Sequence, residues 1–304
     1  MTDIRTHGVL VTFRRPEALR QHLERLAQQT RPLETLLVVD NDDDPDVADL
    51  IANHVSDTTD VRYLGLPGNP GPAGAIATAI KQTLQSHGDG WVVILDDDDP
   101  PPRNDTLEAM AASTASLVEA DPRTGGVGLW GAGLRWTGRL RAATGDAPER
   151  VSYLPGGACP HYRISTLREA IGPDPELFFG FDDLDLGLAV GDTGATVWSS
   201  GLARSHGWTS MVEGRRTEKT VAAPTWRRYY SLRNIIIVLR RNRRPLGAAI
   251  LSIVAGLAKP LINLPLNPRA ASANLRVNFL AISHGWRNKT GKVLDPADPP
   301  RWLT

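Results

Sequence analysis

Short apolar runs alternate with amphipathic segments along the first hundred residues. The apolar runs lie at residues 8–13, 33–40, 61–66 and 91–96. The segments between them, in which apolar positions recur at helical spacing, lie at residues 16–29, 45–55 and 72–85. Strands that alternate with helices predict βαβ units and a mostly parallel α/β sheet with helices on both faces.

The pattern changes twice further along the chain. Residues 127–153 are irregular and rich in Gly and Trp, which indicates extra strands and loops. Helix-like stretches follow at residues 164–170 and 183–190, and near Pro224 the composition shifts to aromatic, apolar and arginine positions. We therefore predict an α/β domain at residues 1–224 and a helical region at residues 225–304.

The sharpest chemical signal is the segment LDDDDPP at residues 95–101, where an apolar strand ends in four consecutive aspartates. Like charges at a strand end repel one another, so a bound cation would stabilise them. The spacing of Asp96 and Asp98 lets two carboxylates face one divalent ion, and oxygen ligands favour Mg²⁺ or Mn²⁺. The alternative is a solvated acidic turn.

Two other polar residues end predicted strands, Thr12 the first and Asp40 the second. Ligands of open parallel sheets bind beyond the carboxyl ends of the strands. We therefore expect Thr12, Asp40 and the aspartates at 96–99 to lie along one edge of the sheet.

A second group of carboxylates opens a predicted helix in the segment FFGFDDLDLGL, where Asp182 and Asp183 follow an aromatic run and Asp185 lies in the first turn. Aspartates at a helix start are often caps that the helix dipole stabilises. The functional alternative is a general base beside a reacting hydroxyl.

Composition narrows the possible partners and compartments. Lys plus Arg equals Asp plus Glu at 34 each, so the net charge gives no indication of a nucleic-acid partner. The single cysteine, Cys159, excludes an internal disulfide and fits a reducing compartment. Because the start of the chain lacks a basic region followed by a long apolar core, we predict no signal peptide and a cytoplasmic location.

The motifs taken in order resemble a family 2 glycosyltransferase of the GT-A fold, from Val9 to about Asn242. The segments that carry the resemblance are VLVTFRRPEALRQHLERLAQQT, LLVVDND, GNPGPAGAIATAI, VVILDDDD and PGGACPHYRISTLREAIGPDPELFFGFDDLDLGLAV. The later segment YYSLRN is similar to one in galactofuranosyl- and rhamnosyltransferase-like members. Pro70 and Pro72 in the glycine-rich segment, and Val190 where many members carry Arg, depart from the family pattern.

The resemblance implies an inverting, metal-dependent sugar transfer by single displacement. It makes Asp183 the base with Asp182 as its acidic neighbour, and it makes Asp96, Asp98 and His206 ligands of Mn²⁺ or Mg²⁺. Asp40 would bind the uracil or thymine ring of the donor, and Trp208 would stack on a sugar. The implied substrate-binding residues are Thr12, Arg14, Asp40, Gly71, Asp97, Gly157 and Trp208.

The same resemblance assigns residues 1–100 to donor binding and residues 101–224 to the acceptor and the base. The implied partners are a UDP- or dTDP-sugar donor and a glycan or lipid-linked acceptor, as in cell-envelope polysaccharide or glycolipid synthesis. The sequence does not determine which sugar or which acceptor is used.

The C-terminal region combines arginines with an apolar run at residues 246–258 that Lys259 and Pro260 interrupt. We predict that this run is too short to span a bilayer, which takes about 20 apolar residues. Basic residues beside apolar helices suit a peripheral position on an anionic membrane surface. The alternative is that these helices only pack on the preceding domain.

Four other classes of protein are considered. A sugar nucleotidyltransferase needs a glycine-rich, arginine-bearing loop after the first strand, where this chain has TFRRP, and a dinucleotide-binding oxidoreductase needs G-x-G-x-x-G there. An EF-hand starting at Asp40 would have Pro45 in place of its glycine and Ile51 in place of its glutamate. A non-catalytic, membrane-associated nucleotide-sugar-binding protein stays open.

Overall fold

The computed structural model describes residues 4–54, 56–143, 145–206, 226–295 and 298. The chain forms two compact units. The first contains Met1–Gly133, Ala142–Pro175 and Asp183–Thr209, and the second contains Leu134–Arg141, Glu176–Asp182 and Ser210–Thr304. Two short segments from the predicted α/β domain therefore pack with the C-terminal helices.

The first unit is built on a mixed, mostly parallel sheet, which in the described residues has eight strands. Its strands are β1 (Thr6–Thr12), β2 (Thr35–Asp40), β3 (Asp60–Gly65), β4 (Trp91–Asp96), β5 (Thr124–Gly128), β8 (Glu149–Val151), β9 (His161–Arg163) and β10 (Thr196–Ser199). The spatial order is β3-β2-β1-β4-β9-β5-β10-β8. A two-stranded sheet is formed by β6 (Gly131–Leu134) and β7 (Leu140–Ala143).

The sheet is parallel at its centre and antiparallel where later strands join it. Strand β1 pairs in parallel with β2 and β4, and β2 pairs in parallel with β3. Strand β9 runs antiparallel between β4 and β5, and β8 runs antiparallel to β10. This confirms the predicted α/β class, and the short strands β6, β7 and β8 account for the irregular pattern at residues 127–153.

Helices cover both faces of this sheet. They are α1 (Pro16–Ala27), α2 (Pro45–Ala52), α3 (Gly71–Ser86), α4 (Thr106–Ala120), α5 (Ile164–Glu169) and α6 (Asp182–Asp192). Pro16 and Pro45 begin their helices, where the missing N–H would have had no helical partner.

Successive residues of β1 feed two cores because side chains alternate across a strand. Leu10 packs with residues of α1, α2 and α4. Val9 and Val11 pack on the other face with residues of α3, α5 and α6. The continuous apolar runs in the sequence are therefore strands that are buried on both faces.

The C-terminal part of the second unit is helical. It contains α7 (Trp226–Arg241), α8 (Pro245–Leu251), a π-helical turn (Ser252–Ala258), α9 (Lys259–Ile262) and α10 (Pro268–Trp286). Helix α10 packs closely on α7 at Gly285, where a Cβ would approach the Cβ of Ile236 to 3.0 Å. The Tyr229 hydroxyl and Nδ1 of His284 are 2.6 Å apart across the same pair of helices.

The apolar run in this unit is longer than the sequence indicated. Helical structure continues through Lys259 and Pro260, since the π-helical turn Ser252–Ala258 passes directly into α9. One stretch in the described residues, Pro245–Ile262, is long and apolar enough to cross a membrane by length and composition, and 28% of it is buried. The prediction that this run is too short was wrong by that measure.

Candidate active site

The predicted edge of the sheet is present. Thr12 at the end of β1 lies opposite Asp40 at the end of β2, and Val11 lies opposite Asp96 at the end of β4. The Thr12 hydroxyl donates to Oδ2 of Asp97 over 2.8 Å, which joins the ends of β1 and β4 directly. The strand ends expected to be neighbours are therefore in contact.

Asp97 organises this edge from inside the fold. Its side chain is buried and also accepts from the Phe13 amide at 3.4 Å and from Nη1 of Arg15 at 3.1 Å. Burial raises the pKa of the Asp97 carboxyl, while the hydrogen bond from Thr12 and the charge of Arg15 oppose that rise. In the structure, Thr12 and Asp97 are hydrogen-bonded to each other. A direct contact of either residue with substrate stays a prediction.

Asp96, Asp98 and Asp99 lie around this anchor with different exposures. Asp98 is exposed and pairs with Arg15, while Asp96 and Asp99 are half-buried. Burial first and then the charge of Asp98 raise the pKa of Asp99. Four aspartates therefore lie within one turn, and a divalent cation would stabilise carboxylates placed this close together.

A glycine turn lies directly against these carboxylates. It is the 3₁₀ turn Gly156–Ala158, which ends at Cys159 in a left-handed conformation with φ of 45°. A Cβ on Gly156 would overlap Oδ2 of Asp96, and a Cβ on Gly157 would overlap Oδ2 of Asp99. Only glycine allows the two segments to approach this closely, so the acidic turn lies directly against the predicted acceptor segment.

The carboxylates fit a divalent ion that is held jointly with a phosphate ligand. Mg²⁺ is commonly bound through one or two carboxylates together with substrate phosphates and water, and two carboxylates are what Asp96 and Asp98 offer. In the described part of the chain, no group of three or more His, Cys, Asp or Glu side chains is arranged to hold a metal. The assignment of Asp96 and Asp98 to a metal stays a prediction.

His206, the third predicted ligand, lies beside helix α4. Its buried imidazole places Nε2 3.8 Å from Oδ1 of Asp105, just before α4. Its Nδ1 lies 3.2 Å from the Leu202 carbonyl oxygen, in the turn that follows β10. The fold of that turn directs the ring towards α4, which the sequence did not reveal, and the role of His206 as a metal ligand stays a prediction.

Asp40 is fully buried and organises the loop after β2. Its oxygens accept from the amides of Asp42 at 3.0 Å and Asp44 at 2.7 Å, and from the Tyr63 hydroxyl at 3.2 Å. Arg14, whose φ is 54°, donates Nε to Oδ2 of Asp42 over 2.6 Å. These hydrogen bonds within the protein define the shape of the loop, and base recognition by Asp40 stays a prediction.

Of the two remaining predicted substrate contacts, the structure describes Gly71 but not Trp208. Gly71 begins α3 with φ of 77°, and its amide donates to Oδ1 of Asn69 over 3.1 Å. That left-handed conformation favours glycine. Trp208 lies outside the described residues, so its stacking on a sugar stays a prediction.

The acidic residues of α6 differ from one another. Asp182 is buried, Asp183 is half-buried, and Asp185 accepts from the backbone amide of Asp174 over 2.8 Å. Burial first and then the charge of Asp183 raise the pKa of Tyr153. Asp183, at the helix start, accepts from the Leu184 backbone amide at Oδ1 over 2.7 Å, so Asp183 and Asp185 both have hydrogen-bond partners.

The site resembles known proteins in sequence and in fold. The sequence model of glycosyl transferase family 2 matches residues 9–117. Residues 9–117 therefore have the sequence pattern of a family 2 glycosyltransferase domain. The matched part of the glycosyltransferase domain includes Thr12, Asp40 and the four aspartates at 96–99.

The glycosyltransferase domain also has named relatives. Over 196 residues the chain is 33% identical to galactofuranosyltransferase GlfT1 of Mycolicibacterium smegmatis, a match that covers 59% of this chain and 63% of the relative. GlfT1 of Mycobacterium tuberculosis matches at the same identity, with 62% of its length covered. The chain thus spans less than two thirds of the length of these relatives.

The fold of the domain is the GT-A fold. Mannosyltransferase PcManGT from Pyrobaculum calidifontis, whose structure was solved in complex with GDP-Man and Mn²⁺, superimposes with a TM-score of 0.55 at 17% sequence identity. The superposition covers 95% of this chain and 89% of that chain.

Two residues of the site were not singled out from the sequence. Arg15 bonds both Asp97 and Asp98, and its signal was its place directly after the first strand, in TFRRP. Gly156 contacts Asp96 although 60 positions separate them in the chain, so no local pattern could have indicated that contact.

Proposed function

We propose that the chain is a metal-dependent, inverting glycosyltransferase that moves a sugar from a UDP- or dTDP-sugar to a hydroxyl of a glycan or lipid-linked acceptor. The observation that carries the proposal is the close approach of the glycine turn at 156–158 to the acidic turn at 96–99, which lies in the part of the chain that matches glycosyl transferase family 2. The name of the relatives, galactofuranosyltransferase, favours galactofuranose as the sugar.

In the proposed reaction, the Asp183 carboxylate accepts the proton of the acceptor hydroxyl. That oxygen forms the new bond to the anomeric carbon while the bond from this carbon to the diphosphate oxygen breaks. Attack opposite the leaving group inverts the anomeric centre. Asp96 and Asp98 would hold a divalent ion, Mn²⁺ or Mg²⁺, which when bound supplies positive charge to the departing diphosphate.

The donor would lie along the edge formed by β1, β2 and β4. The Asp40 loop and Arg14 would contact the nucleotide, and Gly71 and Gly157 would allow close approach of the ligand to the backbone. Thr12 and Asp97 keep the strand ends together, so that Asp98 is presented at the surface of the turn.

The first test is transfer from a panel of nucleotide sugars, with and without Mn²⁺. We expect metal-dependent turnover that Asp183→Asn lowers by about 1,000-fold, within the range that general base catalysis supplies. Donor binding by Asp183→Asn should change by less than about twofold, because the base acts only on the acceptor. Asp98→Ala should instead weaken Mn²⁺-dependent binding of UDP.

Asp192→Asn is the matched control, because Asp192 is an exposed aspartate at the far end of α6. It should retain wild-type turnover. Full turnover by Asp183→Asn would refute the base, and donor binding without any turnover across the panel would favour a non-catalytic binding protein.

We also propose that the second unit lies peripherally on an anionic membrane at its cytoplasmic face. Several large apolar side chains are exposed there, including Ile262 at 73%, Leu266 at 78% and Phe279 at 71%. The sequence has no Asp or Glu between residues 218 and 295, and exposed basic side chains such as Lys259 and Arg269 accompany the apolar ones. An apolar surface with basic neighbours and no acidic ones complements an anionic bilayer surface.

A further inference from the structure

The segment that leads into α6 has an unusual backbone. Phe178, Gly180 and Phe181 have φ values of 64°, 77° and 65°. Glycine adopts this left-handed region readily, but a bulky side chain does so rarely, and such a conformation persists only where its surroundings hold it. The candidate base Asp183 follows Phe181 by two residues.

Asn234 of α7 holds this segment through its side-chain amide. Its Nδ2 lies 2.9 Å from each of the carbonyl oxygens of Leu177, Phe179 and Gly180. The residue is fully buried, and its two amide hydrogens are shared among these carbonyls. Residues that are distant in sequence therefore fix the conformation of the segment.

Arg233, also fully buried, fixes the orientation of that amide. Its Nε donates to Oδ1 of Asn234 over 2.8 Å, so the amide nitrogen is directed to the segment. Its other nitrogens donate to the carbonyl oxygens of Leu177 at 2.8 Å and Gly291 at 2.7 Å. Its guanidinium carbon lies 4.8 Å from the ring centroid of Tyr230.

These contacts place the full positive charge of Arg233 in the interior against backbone carbonyls, an amide and aromatic rings. Burial of a charged group is unfavourable unless hydrogen bonds compensate for it, so an apolar side chain would fill this space at lower cost. Arg233 donates to backbone carbonyls on both sides of the space. These hydrogen bonds stabilise one particular backbone conformation around Leu177 and Gly291, which apolar packing alone would not specify.

The aromatic side chains of the same segment pack against aromatic side chains of α7. The rings of Phe178 and Tyr230 have centroids 4.9 Å apart, and those of Phe179 and Trp226 are 4.7 Å apart. The Tyr230 hydroxyl donates to the Leu294 carbonyl oxygen over 2.8 Å. Both the backbone and the side chains of the segment are thus determined by α7.

We propose that Arg233 and Asn234 are positioning residues for Asp183. They hold the backbone of residues 177–181, in which Phe178, Gly180 and Phe181 are left-handed, and so set the direction in which Asp183 leaves the backbone at the start of α6. This inference rests on the proposed function, because it assumes that Asp183 is the base.

Asn234→Asp in the full chain is the direct test. The substitution keeps the oxygen that accepts from Arg233 but replaces the donor with a second oxygen, which repels the three carbonyls. We expect kcat to fall by about 100-fold, because displacement of a reacting group by about 1 Å has an effect of that size. The Kd of UDP with Mn²⁺ should stay within about twofold of wild type.

Asn242→Asp is the matched control. Asn242 follows the end of the same helix, and its Nδ2 donates to the Val238 carbonyl oxygen over 2.9 Å within one turn. This variant should keep wild-type kcat. A folded Asn234→Asp with unchanged kcat, or one in which kcat and UDP affinity fall together, would overturn the positioning role.

Gly180→Ala decides the question if Asn234→Asp does not fold. The nearest atom to a Cβ at position 180 is Oγ of Ser231 at 3.8 Å, so alanine fits and only the backbone conformation is penalised. Gly194→Ala imposes the same penalty at φ of 85°, in open space after α6. We expect kcat of Gly180→Ala to be lower than that of Gly194→Ala at equal loss of Tm, and equal kcat values would overturn the inference.

A double variant separates this inference from the proposed function. Adding Asn234→Asp to Asp183→Asn should lower the residual rate by less than about twofold, because both changes act on one group. A further loss of about 100-fold, the size expected of a displaced group, would show that Asn234 acts elsewhere, which overturns the positioning role alone. Full activity of the single variant Asp183→Asn would instead refute the assignment of Asp183 as the base, and with it this part of the proposed function.

Discussion

At the scale of single residues, the candidate site depends on how closely the glycine turn at 156–158 approaches the acidic turn at 96–99. Asp96 and Asp99 each contact a glycine whose replacement would create an overlap, so the two turns fit only because positions 156 and 157 have no side chain. The same approach leaves Cys159 buried, and burial first and then the charge of Asp99 raise the pKa of its thiol to about 12. The cysteine is therefore a neutral packing residue, because the thiolate is the reactive form of the side chain.

Gly156→Ala should therefore displace the Asp96 carboxylate. We expect Mn²⁺-dependent UDP affinity to fall by about tenfold, which corresponds to about 1.4 kcal/mol of binding free energy. Isothermal titration of UDP in the presence of Mn²⁺ measures the effect. Gly88→Ala is the control, since no atom lies within 4 Å of a Cβ there, and equal UDP affinities in the two variants would contradict the close-contact argument.

At the scale of elements, the ends of β1 and β4 are joined by a buried hydrogen bond. Thr12 is 1% exposed and its partner Asp97 is 6% exposed, so neither group can turn to water if the other is removed. A buried acceptor that loses its donor retains its desolvation penalty. The strand ends that carry the site are therefore coupled to the stability of the whole sheet.

Thr12→Val should lower the free energy of unfolding by about 1–3 kcal/mol at pH 7. The lost bond also raises the pKa of Asp97 further above its unfolded value. Because the folded state then disfavours the carboxylate more, the stability loss grows as pH rises through the raised folded pKa of Asp97 and is smaller at low pH. Urea unfolding at neutral pH and at a pH near the unfolded pKa of an aspartate, about 4, measures both effects.

Thr83→Val is the control for that experiment. Thr83 is also buried, but its hydroxyl donates over 2.8 Å to the Ala79 carbonyl oxygen within α3, which does not titrate. Its effect on unfolding should be independent of pH. A pH-independent effect of Thr12→Val would show that Asp97 is not the group responsible.

At the scale of the whole molecule, the two signs of charge occupy different parts of the chain. The acidic runs at 40–46, 96–99 and 182–185 all precede residue 186, whereas the stretch after Glu218 has no acidic residue before Asp295. The net charge of zero therefore conceals a strongly basic C-terminal part. A charge distribution of this kind directs one part of a protein to an anionic surface.

The proposed membrane contact predicts flotation of the full chain with phosphatidylglycerol vesicles and much less with phosphatidylcholine vesicles. Combining Leu261→Glu, Ile262→Glu and Leu266→Glu should weaken vesicle binding by at least about tenfold, because it replaces exposed apolar area with charge. Ile171→Glu is the control, since Ile171 is 94% exposed but lies in the first unit. Unchanged flotation of the triple variant would contradict the proposal.

The sequence by itself determined the order of strands and helices, the α/β class and the edge of the sheet where polar residues collect. These features are local, since strand and helix periods are set by a few neighbouring residues and a strand end shows directly as a change from apolar to polar. The resemblance of the ordered motifs then indicated the family, which the comparisons confirm.

Only the tertiary structure decided the partner of each polar side chain. Asp97 bonds Thr12, His206 faces Asp105, and Asn234 holds the segment before Asp183. Each of these contacts joins residues far apart in the chain, so it depends on how distant elements pack and leaves no periodic trace in the sequence. Composition can show that carboxylates are present at a strand end, but the direction of each one is a property of the packed fold.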